Sequence, residues 1–548
     1  MASPHRASII ATHAAGAAHL RARTRRALST RTPMLAQVSS GAVIGVDAYL
    51  VRVEVDIANG LPTMNVVGLA ESAVREGRER VTAALQNSGF VVPPRRITIN
   101  LAPADVRKDG SAFDLPIALG LLAATDVIPA EQLAGCCFVG ELGLDGEIRP
   151  VRGVLPIALR CGKEGIRTLI VPPANAREAA VARCTEVLCG ASLEDVVAHL
   201  RGERRLQPEQ VDPVTLFQER PGHFEVDFAD VRGQAQARRA LEIAAAGHHN
   251  VLLVGPPGSG KSMLARRVPG ILPPMSLPEA LETTRIHSVA GRLRPGQALV
   301  VSRPFRAPHH TISDVGLVGG GSNPRPGEVS LAHHGVLFLD ELPEFRRHVL
   351  EVLRQPMEEG QVSIGRARFA VTYPARFMLV AAMNPCPCGF YGTGEGRCVC
   401  HAGQVQRYTA RVSGPLLDRI DLHVTVPPLR PREVMDRREA EPSARIRERV
   451  IAARDRQLAR FRGRPGIYAN SSMGVREIRE FCRPDEAGEG VLRAAIQRLG
   501  LSARAYHRVL KLARTIADLE GAERIAAAHI AEAVQYRTLD RAAATPVY

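Results

Sequence analysis

Eight residues, Gly255, Pro256, Pro257, Gly258, Ser259, Gly260, Lys261 and Ser262, follow four apolar ones, Val251–Val254, and lead into a helical pattern. Glycines at this spacing let backbone N–H groups curl around phosphates. A lysine then reaches the β/γ-phosphates, and a hydroxyl is available to ligate Mg²⁺. A second apolar run, "VLFL", ends in Asp340 and Glu341. Asp340 can hold the same Mg²⁺, and Glu341 can orient and polarise an attacking water. A third run, "FMLVAAM", ends at Asn384, whose amide beside a γ-phosphate would position that water; a plain capping role at the strand end is the alternative.

Two arginines complete the candidate constellation. Arg419 in "SGPLLDRIDL" could stabilise transition-state charge, a contribution of roughly 10³–10⁵ in rate, and in ring ATPases a neighbouring subunit supplies it. A surface ion pair with Asp418 or Asp421 is the competing reading. Arg504 opens the last amphipathic helix, a common place for a second nucleotide-sensing arginine, although a solvated helix face explains it equally simply.

Between these parts lies "GQVSIGRARFAVTYPARF", residues 360–377. Its alternating pattern predicts a β-hairpin with Arg366 and Arg368 at the tip, either a phosphate-backbone contact or a solvated surface hairpin. After Asn384, Cys386, Cys388, Cys398 and Cys400 stand as C-x-C-x9-C-x-C. Four thiolates could close a tetrahedral zinc site, with His401 as a substitute ligand. Reduced thiols in a glycine-rich loop, or a redox pair, are the alternatives.

These motifs need elements to position them. The 548 residues suffice for about three domains. Apolar content is 45%, and no 18-residue run is both uncharged and apolar throughout, so a membrane span is not expected. A net charge of +15 points to a polyanion partner, or to a genomic bias toward arginine. Tryptophan is absent and aromatics are 4%, which disfavours recognition by rows of stacked rings. Six scattered cysteines without a secretory segment fit a reducing cytoplasm.

Residues 1–33 hold six arginines and no acidic residue. That composition is transit-peptide-like, and a mis-assigned start before Met34 or a disordered arm is the simpler expectation. Residues 34–200 read as α/β, with a hairpin turn at Asp145-Gly146. Residues 201–226 read as a charged linker and 227–430 as a second α/β block. Residues 431–548 read as helical, with a clear 3.6 period ending at Gly521.

The order of motifs resembles the AAA+ ATPases, and the text between them is more specific. "RPFRAPHHTISDVGLVGGGSNPRPGEVSLAHHGVLFLDELPEF", "AAMNPCPCGFYG", "RYTARVSGPLLDRIDLHVTVP" and the stretch from Met34 to Leu85 resemble the magnesium-chelatase-like AAA+ proteins of the YifB/ComM family. The resemblance implies a Lon-protease-like N-terminal domain of the ribosomal S5 domain 2 type, a P-loop AAA+ core and an all-helical C-terminal lid. It also implies ATP and Mg²⁺ as cofactors, a hexamer, and a DNA helicase driving branch migration during integration of incoming DNA. In this branch a hairpin inserted before the Asn384 strand points into the ring's pore. Chelatase motor subunits share that insertion, so a chelatase-type remodeller of a metal-insertion partner is the second reading. The resemblance implies that chelatase motor subunits lack the Lon-like domain, which stands against that second reading. "KDGSAFDLPIALGLLAA" and "GEIRPVRGVLPIALRCGKEGI" resemble Lon's catalytic segments, yet Ala112 and Leu155 stand where the serine and lysine of a Ser–Lys dyad would be. The expectation is a retained fold without peptidase chemistry.

Overall fold

The computed structural model describes residues 34–537 except 69–71, 107, 109, 220–224, 322, 367–368, 393–395 and 436–439. The basic segment 1–33 and Arg368 therefore lie outside the described residues.

Strands rich in Val and Ile with one buried face build the first domain. β1 (Met34–Ile44), β2 (Asp47–Ala58), β3 (Thr63–Val67), β4 (Arg96–Ala102) and β5 (Cys136–Phe138) come first. The small hairpin β6 (Glu141–Leu142) and β7 (Ile148–Arg149) follows, and then β8 (Thr168–Val171), β9 (Glu186–Cys189) and β10 (Pro208–Glu209). One mixed sheet has the order β10-β9-β8-β5-β1-β2-β4-β3. Helices α1 (Ser72–Asn87), α2 (Asp114–Ala124), α3 (Val154–Lys163), α4 (Pro173–Ala180), α5 (Leu193–Leu200) and α6 (Pro213–Glu219) accompany it. Gly146, at φ 86°, forms the predicted β6–β7 turn. The stretch read as a linker departs from expectation. β10 pairs antiparallel with β9, so residues 208–209 extend the sheet edge rather than bridging freely.

The second domain is an all-parallel sheet. β11 (Val251–Val254), β12 (Phe305–Arg306), β15 (Val336–Leu339), β18 (Met378–Met383) and β19 (Leu422–Thr425) lie in the order β12-β15-β18-β11-β19. The three longest-buried runs, β11, β15 and β18, are buried at every position, as strands covered on both faces must be. Its helices include α7 (Ala235–Gly247), α8 (Lys261–Ile271), α9 (Leu277–Val289), α10 (Asp314–Val318), α11 (Arg354–Glu359) and α12 (Ala402–Thr409). Two hairpins project from this core. A short one pairs β13 (Gly319–Gly320) with β14 (Arg325–Pro326), and a longer one pairs β16 (Gln361–Arg366) with β17 (Phe369–Pro374).

The C-terminal helices α13 (Ser443–Arg460), α14 (Val475–Phe481), α15 (Glu486–Leu499), α16 (Ala503–Glu520) and α17 (Ala527–Gln535) form the lid. α16 is capped by Ser502 and ends at Gly521, φ 74°, where the 3.6 period predicted it would. α13 and α16 share one apolar cluster with α7, α8 and the sheet, so the lid packs on the core rather than hanging from it.

The two α/β domains are joined by α9. Met275, Ala280 and Leu299 share an apolar cluster with Leu155, Ile157 and Leu169. Leu155, at the position of the Lon lysine, is fully buried there. Ser111 donates its hydroxyl to Glu141, and the Lys108 ammonium goes to the Pro103 carbonyl. Inside the seam, buried Glu178 accepts from Leu155 N–H at 3.0 Å and from the Ser288 hydroxyl of α9. Burial pushes its carboxyl above the ordinary range. Glu178→Ala would strand both donors in an apolar seam, at a cost of about 1–3 kcal/mol, whereas Ser288→Ala should cost about 1 kcal/mol. Chemical-denaturation midpoints of the two variants check this, and an unshifted Glu178→Ala midpoint would remove the carboxylate as the clasp.

Candidate nucleotide site

The site lies where β11, β15 and β18 end together. The register sets this directly: Val254 is level with Met383, and Leu339 with Ala381. The phosphate loop, the Asp340–Glu341 pair and Asn384 therefore emerge side by side, although up to 129 residues separate Gly255 from Asn384 in the chain.

The Lys261 ammonium donates to the carbonyls of Gly255 at 2.7 Å and Pro256 at 2.8 Å, and to Asn384 Oδ1 at 3.2 Å. Burial lowers its pKa, against the pull of Asp340 and Glu341. Ser262 Oγ donates to Asp340 Oδ2 at 2.6 Å, so the hydroxyl and carboxylate converge on one point. The loop fits a triphosphate with Mg²⁺. Gly258 and Gly260 have φ of 78° and 92°, and no atom lies within 4 Å of a Cβ placed at Gly258. Ser259 Oγ is buried and unpartnered. At Gly255 a Cβ would strike the Val426 carbonyl, so the loop's first turn requires glycine.

Glu341 is in the left-handed region at φ 51°, ψ 48°, a conformation that costs a non-glycine residue on the order of 1–3 kcal/mol and is retained where geometry matters. Its N–H donates to Asp340 Oδ1 at 2.9 Å, and its half-exposed carboxylate lies 3.4 Å from His310 Nδ1. His310 was not singled out in the sequence, and neither was Gln234. From φ 52°, the buried Gln234 amide donates to the carbonyls of Ser259 at 3.1 Å and Pro427 at 2.7 Å. It ties the phosphate loop to the chain leaving β19.

Arg419 is not in this group. Its carbonyl accepts from Asn250 Nδ2 at 3.2 Å, just before β11, while the phosphate loop starts just after it. In a parallel sheet that places the two roughly 15 Å apart at opposite edges. Arg419 is buried, and its guanidinium pairs with Glu358 rather than with either anticipated aspartate. Asp421 is taken by Arg508 and His249. Arg504 is exposed, one turn before Arg508 on α16.

Cys386, Cys388, Cys398 and Cys400 do converge, with all four sulfurs within 4.8 Å of one another. Three of the Sγ···Sγ separations are 3.3, 3.6 and 3.8 Å. Tetrahedral zinc–sulfur bonds of about 2.3 Å require about 3.8 Å, so the residues fit a thiolate metal site. His401 is not part of the cluster. The loop also abuts the phosphate loop, since a Cβ on Gly389 would lie 2.5 Å from Pro257 Cδ. A second group, Glu282 with His333 and His334, is organised differently. His333 Nδ1 accepts the Arg376 N–H at 3.0 Å, so Nε2 carries the proton and faces Glu282 at 3.2 Å. Burial lowers His333 to about 4, which keeps it neutral. Its Nε2 has no free lone pair for a metal, and the group is a hydrogen-bonded strut beneath β15.

Sequence comparison now decides the family. Residues 227–434 match the family described as magnesium chelatase, subunit ChlI, residues 53–175 match subunit ChlI of Mg-chelatase, and residues 440–537 match the ChlI C-terminal family. The chain is 46% identical over 508 residues to Competence protein ComM of Haemophilus influenzae, covering 92% of this chain and 98% of that one. The chain belongs to the magnesium-chelatase-like AAA+ family of ComM and YifB. YifB of Escherichia coli is 45% identical over 510 residues, with the same coverage. The magnesium-chelatase 38 kDa subunit of Rhodobacter capsulatus is 27% identical over 323 residues, covering 55% of this chain and 84% of that subunit. Membership in this AAA+ family carries ATP hydrolysis with Mg²⁺ and assembly into oligomers. Residues 53–175 thus match a family that bears the chelatase subunit's name, while the 38 kDa subunit itself aligns over 55% of this chain.

Lys261→Ala should weaken ATP binding about 10- to 100-fold, the range for losing hydrogen bonds to a charged group. Glu341→Gln should bind ATP normally and lower hydrolysis about 10²- to 10⁴-fold, as loss of a general base does. Equilibrium nucleotide binding and steady-state turnover together separate the two roles.

Proposed function

We propose that the chain is a subunit of an ATP-driven ring, read as a hexamer, that moves along DNA as a branch-migration helicase. One observation carries this reading: the β16–β17 hairpin rises between α11 and the Asn384 strand, and its closing pair is Arg366 with Phe369. The ladder closes at that pair, and Arg368, the other basic residue that the alternating pattern places at the tip, lies outside the described residues. The hairpin's base is held firmly. Val362, Val371 and Tyr373 are buried, and the Tyr373 hydroxyl donates to the Pro324 carbonyl at 2.7 Å. A rigid stem with basic residues at its end suits a sequence-independent grip on a phosphate backbone. The name Competence protein carried by one relative agrees with a DNA partner.

In this reading Lys261 and the loop N–H groups bind the phosphates, and Ser262 and Asp340 hold Mg²⁺. Glu341 takes the proton of the attacking water, and Asn384 positions that water. Arg419 reaches a neighbour's site, because its own lies at the far edge of the sheet. Arg504 senses nucleotide from the lid. The four thiolates hold a structural zinc that braces the loop after Asn384. No helix among the described residues is long and apolar enough to cross a membrane, and none of the ten cysteines is in a disulfide, as a reducing cytoplasm would have it. The likeness to a magnesium-chelatase subunit supports the alternative, a remodeller of a metal-insertion partner.

Zinc should co-purify at about one ion per chain, checked by elemental analysis of protein never exposed to chelators; metal-free protein with intact thiols would remove the site. For the main reading, Arg366→Ala with Arg368→Ala should leave basal ATP hydrolysis nearly intact while DNA stimulation and junction movement fall sharply. The salt dependence of DNA affinity should become shallower by up to about two log–log units per engaged subunit. Wild-type DNA movement with a wild-type slope would show that the hairpin does not grip DNA. Stimulation by a chelatase partner instead would favour the alternative.

A further inference from the structure

Arg419 is held in two different ways. Its backbone is fixed to the sheet, because its carbonyl accepts from Asn250 Nδ2 and from Arg508 Nη1 at 3.3 Å. Two residues on, Asp421 accepts the Asn250 N–H at 3.0 Å and pairs with Arg508. The side chain is retained separately. Nη1 donates to the Pro415 carbonyl at 2.6 Å, and Nη2 pairs with Glu358. Both terminal nitrogens are thus committed to their own subunit, and Nε is buried without a partner. A guanidinium so engaged is not presented to a neighbouring triphosphate.

Glu358 has a particular place in the chain. It sits on the last turn of α11, which stops at Gly360, φ 66°. The next residue, Gln361, begins β16 of the basic hairpin. Gly360 also closes the hairpin's base, because Ala375 N–H donates to its carbonyl at 2.8 Å. Only two residues, Glu359 and Gly360, therefore separate the carboxylate that holds Arg419 from the stem of the hairpin. The carboxylate is about half exposed while its partner is buried, so a small displacement of α11 opens the pair to water.

We propose that Glu358 is a positioning residue that retains Arg419 on its own subunit until the hairpin engages its track. Load on the hairpin shifts Gly360 and the end of α11, Glu358 separates from Arg419, and the guanidinium swings about its anchored backbone toward the neighbour's triphosphate. The inference rests on the reading of Arg419 as an arginine acting in trans and of the hairpin as the DNA contact. It adds a link between the two: each subunit reports DNA contact to the next subunit's active site.

The test uses the full chain, assembled with ATP, with and without double-stranded DNA. Glu358→Ala and the isosteric Glu358→Gln should both raise DNA-independent kcat about 2- to 5-fold, in line with the modest strength of a half-exposed ion pair. KM for ATP should stay unchanged, because each subunit's own phosphate loop is untouched. The ratio of DNA-stimulated to basal turnover should fall toward one. In an Arg419→Ala background neither substitution should have any effect. If Arg419→Ala is inactive while both Glu358 variants show wild-type basal turnover and wild-type stimulation, the restraint is overturned. A lowered basal kcat in both variants, in correctly assembled rings, also overturns it, since Glu358 would then be orienting Arg419 productively. If Arg419→Ala hydrolyses ATP at the wild-type rate, the trans arginine itself is refuted and the restraint falls with it. The Gln variant keeps the side-chain volume, so a folding defect confined to Glu358→Ala leaves the test intact.

Discussion

Five parallel strands ending at one edge are the constraint on which the rest depends. Parallel register makes the ends of β11, β15 and β18 coincide, and at those ends stand the phosphate loop, Asp340–Glu341 and Asn384. The side chains need little adjustment to meet. Lys261 already touches Asn384, and Ser262 already touches Asp340. Parallel strands are buried on both faces, which explains why the phosphate loop, Asp340–Glu341 and Asn384 each follow a run of apolar residues. The same constraint sends Arg419 to the other edge.

Around the sheet, contacts between distant segments fix positions that the sheet leaves open. Gln234 secures the phosphate loop to the exit of β19, and Gly389 brings the cysteine loop against Pro257. α9 belongs to the ATPase core in sequence but also packs into the N-terminal domain, with Glu178 and Ser288 inside the seam. Gly45, in the turn between β1 and β2, lies so close to Val371 of β17 that an added Cβ would come within 2.7 Å. The N-terminal domain therefore bears on both the core and the stem of the basic hairpin.

The parts that were legible in the sequence are those governed by local rules. A glycine loop between strand and helix, apolar runs ending in acids, an alternating hairpin and a helix stopped by Gly521 each carry their signal within about twenty residues. The less legible parts are pairings. Glu358 and Arg419 are 61 residues apart, and nothing local to either announces the other, so the anticipated partners were the adjacent Asp418 and Asp421. His310 lies 31 residues before Glu341 in an irregular stretch without periodicity. Gln234 depends on a left-handed backbone that glutamine seldom adopts. The charged stretch after Leu200 looked like a tether because two residues, Pro208 and Glu209, are too few to show strand alternation.

The opposed edges of the sheet give the subunit a direction. The phosphate loop stands at one edge and Arg419 at the other, so two subunits joining through these edges would present unlike surfaces to each other. Such an interface is heterologous: it either closes on itself or continues as a filament. With Arg419 acting in trans as proposed, any open arc would leave one terminal loop without an arginine and one terminal arginine without a loop. Only closure would then match every loop with an arginine, so an arc would be one complete site short of its subunit count, and a defective member would disable a site that belongs to its neighbour.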